Sequence, residues 1–93
     1  MDNMERAEIY VSGRVQGVYF RAFTQEVALK HGLSGYVMNL ADGRVFSVVE
    51  GNRDTIVFFI DELKTGPTMS NVTDMDISWS EGTGEFSGFS IRR

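Results

Sequence analysis

Two apolar stripes at helical spacing, each closed by a glycine and separated by two short alternating runs, constrain this chain more than any other feature. In the first, Phe20, Phe23 and Val27 recur while Arg21, Thr24, Gln25, Glu26 and Lys30 supply a polar face, and Gly32 stops the run. In the second, Ile56, Phe59, Ile60 and Leu63 follow Asn52, a good N-cap residue, and Gly66-Pro67 ends the pattern. Period-2 segments surround both stripes. Ala7 to Ser12 sets Ile9 and Val11 on one face and Glu8, Tyr10 and Ser12 on the other. Leu33 to Asn39 and Arg44 to Glu50 flank Asp42-Gly43, a hairpin signal that pairs them antiparallel. Asn71 to Trp79 predicts a further strand, and Phe89 to Arg92 a short terminal one after a turn through Glu81-Gly82-Thr83-Gly84. The order β-α-β-β-α-β plus a short last strand implies an α+β fold of the ferredoxin-like, split βαβ kind, an antiparallel sheet with two helices on one face.

With 93 residues the chain is read as one domain over 1–93, residues 1–6 forming a flexible N-terminus. No run approaches the roughly 18 apolar residues of a membrane span, and Met1 to Ala7 lacks the apolar segment of a signal peptide. A cytoplasmic location without membrane association is therefore expected. The sequence has no cysteine, which removes disulfides, thiolate nucleophiles and sulfur metal ligands. A formal net charge of -4 repels polyanions, and no aromatic platform flanked by basic residues is evident, so nucleic acid is not expected as a partner. Any anion must be captured locally.

The stretch Ser12-Gly13-Arg14-Val15-Gln16-Gly17-Val18-Tyr19-Phe20-Arg21 offers a place for that capture. Two glycines let a strand-to-helix turn aim successive N–H groups at one point, the helix adds the positive end of its dipole, and Arg21 adds a two-pronged donor. Only three residues separate Gly13 from Gly17, and no Lys-Ser or Lys-Thr follows, so this is not a Walker loop. In a split βαβ unit the loop, the start of the first helix and the end of the second strand lie along one sheet edge. Asn39, at that strand end, can reach what the loop holds.

The same residues carry a family resemblance. Ser12 to Arg21 is similar to the G-x-V-Q-G-V-x-F-R signature of acylphosphatases, and Gly35-Tyr36-Val37-Met38-Asn39 with Asp42-Gly43-Arg44-Val45 to their second signature. Gly66-Pro67 and Phe89-Ser90-Ile91-Arg92 resemble later landmarks, so the likeness runs from Ala7 through nearly the whole chain. It implies a phosphate site built from Val15, Gln16, Gly17, Val18, Tyr19, Phe20 and Arg21, with Arg21 and Asn39 catalytic: Arg21 binds the phosphate and Asn39 orients the attacking water. It further implies hydrolysis of an acyl phosphate to carboxylate and inorganic phosphate, phosphate being product and competitor, by a monomer that uses no metal or cofactor. Leu40 and Met38 depart from the family pattern, where Thr and a basic residue are frequent. They sustain an alternative reading, a weakly active or inactive acylphosphatase-like module that binds anions or a protein.

That chemistry is self-consistent. The conjugate acid of a carboxylate leaving group has a pKa of about 4 to 5, so no general acid is needed at neutral pH. Other polar residues have simpler readings: Arg14 as a solvated loop charge, His31 as a partner of the first helix's C-terminal dipole, and Asp74 with Asp76 as neighbours on one strand face rather than metal ligands. Val57 and Phe58 fall off the second apolar stripe and read as partly exposed packing.

Overall fold

The computed structural model describes residues 4–93. Its elements are β1 (Glu5–Arg14), α1 (Phe20–Lys30), β2 (Ser34–Asn39), β3 (Val45–Gly51), α2 (Arg53–Thr65), β4 (Asn71–Glu81) and β5 (Phe89–Arg92). They form one sheet in the order β4-β1-β3-β2-β5. The predicted order of elements holds, with β3 between β1 and β2 and antiparallel to both. The sheet is mixed rather than antiparallel throughout, because β5 adds to β2 in parallel, Val37 opposite Ile91 and Met38 opposite Arg92. A strand of four residues leaves little alternation from which its neighbour or direction could be inferred.

Pairing parity sorts the side chains. Ile9 lies opposite Ser47 and Val11 opposite Val45, so these residues with Ala7 and Val49 share one face, and Val37 joins them from β2. That face packs against Phe20, Val27 and Ala28 of α1 and Ile56, Phe59, Ile60 and Leu63 of α2 in one buried core. The Asn52 side chain accepts from Asp54 N–H at 2.9 Å and caps α2. Val57 and Phe58 point outward, Phe58 62% exposed. His31 is at the end of α1 as expected, and its Nε2 lies 2.8 Å from Glu62 of α2, a partner the sequence did not indicate.

Three further expectations are corrected. Glu5 and Arg6 are not part of a flexible tail: they belong to β1 and pair with β3 and β4, while residues 1–3 of that expectation lie outside the described residues. Gly13 belongs to β1 rather than to the anion loop. The register with β4 shifts between Ser12 and Gly13, and a Cβ on Gly13 would lie 2.1 Å from the Asn71 carbonyl oxygen, so the glycine serves close strand approach. Finally, the face opposite the helices does carry an aromatic strip: Tyr10 packs at a tilt against Phe46, and Tyr36 meets Phe46 and Phe86 edge-on. Arg44 and Arg92 lie over Tyr10 and Tyr36, and Arg6 over Phe86. The rings come from three strands and a loop, one at a time, so no local run of sequence reveals them. Arg44 is bound to Asp42, and Arg6 to Glu8, Glu50 and Glu85.

Candidate active site

β1 delivers the chain to a short loop at the edge of the sheet, and the loop turns directly into α1. Gly17 has φ 75° and Tyr19 φ 72°, so the turn enters the left-handed region twice within three residues. Gly17 does so at little cost, and nothing would contact a Cβ there, so the need is conformational rather than steric. Tyr19 is the N-cap of α1 yet makes no side-chain capping bond. The first intrahelical hydrogen bond from this end runs from Phe23 N–H to the Tyr19 carbonyl, 3.0 Å. The amides of Phe20, Arg21 and Ala22 therefore precede the helical ladder and are free to face an anion.

These residues line a cleft of about 280 Å³ together with Val15, Gly17, Tyr19, Asn39, Ile91 and Arg93. The placement follows from topology. Asn39 is the last residue of β2 and lies opposite Val45, on the helix-bearing side of the sheet. Parallel β5 ends beside β2, which brings Ile91 and Arg93 to the same mouth. Neither was among the residues predicted for the site, although Phe89 to Arg92 carried a family likeness; what the sequence lacked was the neighbour of β5.

Among the described residues Arg21 forms no ion pair, although seven other Arg, Lys and His side chains take part in such pairs or in aromatic stacking: Arg6, Lys30, His31, Arg44, Arg53, Lys64 and Arg92. Its guanidinium is thus uncommitted at the cleft. Asn39 is unusual in a different way: its Oδ1 is buried and has no hydrogen-bond partner among the described residues. Buried polar atoms are nearly always satisfied, so this oxygen is an acceptor left open on a residue that lines the cleft. Tyr19 hydrogen-bonds through its hydroxyl to Glu26, which raises the phenol's pKa above its ordinary value and keeps it protonated. Among the described residues the lining otherwise holds no side-chain carboxylate, imidazole or thiol, and its chemistry is that of guanidinium, amide and backbone donors.

Of the loop residues predicted to bind phosphate, Val15, Gly17, Tyr19, Phe20 and Arg21 line the cleft. Gln16 and Val18 do not. Val18 packs against the core, and the Gln16 side chain turns toward the β2–β3 hairpin, where its Nε2 donates to the carbonyls of Leu40 at 2.8 Å and Arg44 at 2.9 Å. Arg14 is exposed and outside the lining, and Asp74 and Asp76 lie on β4 opposite Ser12 and Tyr10.

Comparison with known proteins bears on the family and the fold. The acylphosphatase family profile matches residues 7–91. An acylphosphatase of Methanococcoides burtonii is 50% identical over 92 residues, covering 99% of this chain and 96% of that protein. One from Roseiflexus is 45% identical over 91 residues, 98% of each. The crystal structure of acylphosphatase from Bacillus subtilis superposes with a TM-score of 0.93 at 39% identity, covering 96% of this chain and 99% of that one. With a matching profile over almost its whole length and relatives of this similarity, the chain belongs to the acylphosphatase family.

Proposed function

We propose that this hydrolase cleaves the carboxyl-phosphate bond of acyl phosphates without a metal ion, Arg21 and the loop amides gripping the phosphoryl group and Asn39 orienting the water. The observation that carries this assignment of roles is the convergence in one cleft of an unpaired guanidinium, uncapped first-turn amides and a buried, unpartnered amide oxygen. The phosphoryl group binds against the loop from Val15 to Phe20, its oxygens taking N–H donors and the two prongs of Arg21. Gln16 and Val18 contribute there only through their backbone.

The Asn39 carbonyl accepts a hydrogen from water and leaves its NH₂ to face a phosphate oxygen. The water oxygen bonds to phosphorus as the bond from phosphorus to the acyl oxygen breaks, and that electron pair leaves with the carboxylate. The water's protons pass to a phosphate oxygen and to solvent. No residue in the lining is needed as a general acid, since the departing carboxylate is stable unprotonated at neutral pH. Rate comes from positioning and from charge stabilisation by Arg21, the terms that dominate phosphoryl transfer.

The enzyme is proposed to act as a monomer. A cysteine-free chain has no disulfide to form in an oxidising compartment, which supports the cytoplasm. Among the described residues, no helix is long and apolar enough to cross a membrane. Nucleic acid remains outside the proposal, because the net charge is -4 and Arg44 and Arg6 of the aromatic strip are already paired with carboxylates. The test is hydrolysis of benzoyl phosphate and acetyl phosphate with EDTA present. Turnover well above the buffer rate, inhibited competitively by inorganic phosphate, is expected. A rate equal to buffer, or one abolished by the chelator, overturns the proposal.

A further inference from the structure

We infer that Gln16 is the positioning residue that sets Asn39 against the phosphate loop. This inference rests on the roles proposed above for the loop and Asn39. The loop follows β1 and Asn39 ends β2, with β3 between those strands, so nothing in the sheet ladder joins them directly. Gln16 does. Both hydrogens of its single NH₂ are spent on the hairpin, one on the Leu40 carbonyl and one on the Arg44 carbonyl. Those two carbonyls mark the two ends of the turn. Leu40 N–H donates to the Arg44 carbonyl at 2.8 Å and Gly43 N–H to the Leu40 carbonyl at 3.2 Å, so Gln16 grips a closed unit.

The unit is also rigid on its far side. Asp42 accepts from Arg44 N–H at 3.1 Å and from Arg44 Nε at 2.8 Å, and the Arg44 guanidinium lies 4.6 Å from the centre of the Tyr10 ring. The Asn39 side chain has no such support. Its Oδ1 has no partner among the described residues, and Leu40 beside it has no polar side-chain atom to hold it. The aim of the Asn39 amide is therefore set by the backbone at 39 and 40, and that backbone is fastened to the loop by Gln16.

Two neutral hydrogen bonds are modest in stability, yet misplacing a reacting group by about 1 Å can cost 10²-fold in rate. Gln16→Met keeps the length and removes both donors. It is expected to lower kcat by about 10- to 100-fold while leaving inhibition by inorganic phosphate unchanged, since the loop amides and Arg21 remain. Gln16→Glu places a carboxylate against two carbonyl oxygens, and protonation restores one donor. Its activity relative to Gln16→Met should therefore rise as pH falls, which loss of packing alone does not produce.

An activity-independent arm uses NMR titration with inorganic phosphate. In the unsubstituted protein the Asn39 side-chain amide and the Gly17 and Tyr19 backbone amides should all respond; in Gln16→Met the backbone amides should still respond and the Asn39 side chain should not. If the unsubstituted protein fails to turn over acetyl phosphate, the proposed function falls, and the titration still decides the role of Gln16. Unchanged kcat, phosphate inhibition weakened in step with kcat, or an undiminished Asn39 response in Gln16→Met overturns the inference.

Discussion

Asn39→Ala separates function from stability more sharply than any other substitution in this chain. The Asn39 Oδ1 is buried without a donor among the described residues, and a buried acceptor left unmade costs roughly 1–3 kcal/mol. Alanine removes that acceptor together with a small amount of side-chain packing, each lost carbon being worth about 0.8 kcal/mol. The two contributions oppose each other, so the ligand-free fold should be unchanged or more stable by about 1 kcal/mol, a rise of roughly 4–8 °C in midpoint for a domain of this size. The reaction should suffer: without the amide the attacking water loses its orientation, at about 10²- to 10³-fold in kcat, or roughly 3–4 kcal/mol of barrier. Thermal unfolding and benzoyl phosphate turnover measured on the same preparation give both numbers. Inhibition by inorganic phosphate should persist, because Arg21 and the loop are intact. A midpoint lowered by more than about 10 °C, with turnover and phosphate inhibition lost together, refutes the reasoning and makes Asn39 a structural member of the hairpin.

Arg21→Ala should reduce turnover by about 10³- to 10⁵-fold and, unlike Asn39→Ala, also weaken phosphate inhibition. Inhibition by phosphate at unchanged concentration would contradict the role given to Arg21. Glu50 makes a prediction away from the site. Its side chain is fully buried; burial works to raise its pKa, but donation from Thr83 N–H, Gly84 N–H, the Thr83 hydroxyl and Arg6 outweighs burial and holds the carboxyl below its usual range. A depressed folded-state pKa stabilises fully above the unfolded value of about 4.3, and that contribution is lost as pH falls through the folded value. Acid unfolding should therefore include this loss, and Glu50→Gln, followed by circular dichroism, should be about 3 kcal/mol less stable at neutral pH and lose less on acidification. Gly13→Ala forces a Cβ to 2.1 Å from the Asn71 carbonyl oxygen and should cost about 2–3 kcal/mol in denaturant unfolding. A neutral result would mean that β1 and β4 separate there freely.

What the sequence made legible were features with a period or a local chemical cause. The stripe Ile56, Phe59, Ile60 and Leu63 is the buried face of α2, all four residues in the core, because a 3.6-residue repeat leaves one face to bury. Asp42-Gly43 marks a real hairpin, with Gly43 at φ 97°, and this places Asn39 at the end of β2. What stayed hidden depends on partners distant in the chain. Glu50 ends the third predicted strand, and the partners at Thr83 and Gly84 that close over its carboxylate lie in a distant loop. Ile91 and Arg93 reach the cleft only because β5 pairs in parallel with β2, a choice that four residues cannot encode by alternation. The sequence places Gln16 with the phosphate-binding loop, and only the folded hairpin reveals two carbonyls within reach of its amide.

The central claim is that the cleft grips phosphorus-bound oxygens while water attacks phosphorus, and it can be read from where water's oxygen ends. Hydrolysis of acetyl phosphate in water enriched in the heavy oxygen isotope, followed by mass analysis of both products after a single turnover, distinguishes the two possible cleavages. The label should appear in inorganic phosphate and be absent from acetate. Label in acetate would mean attack at the carbonyl carbon, and would contradict the placement of phosphate on the loop and water on Asn39.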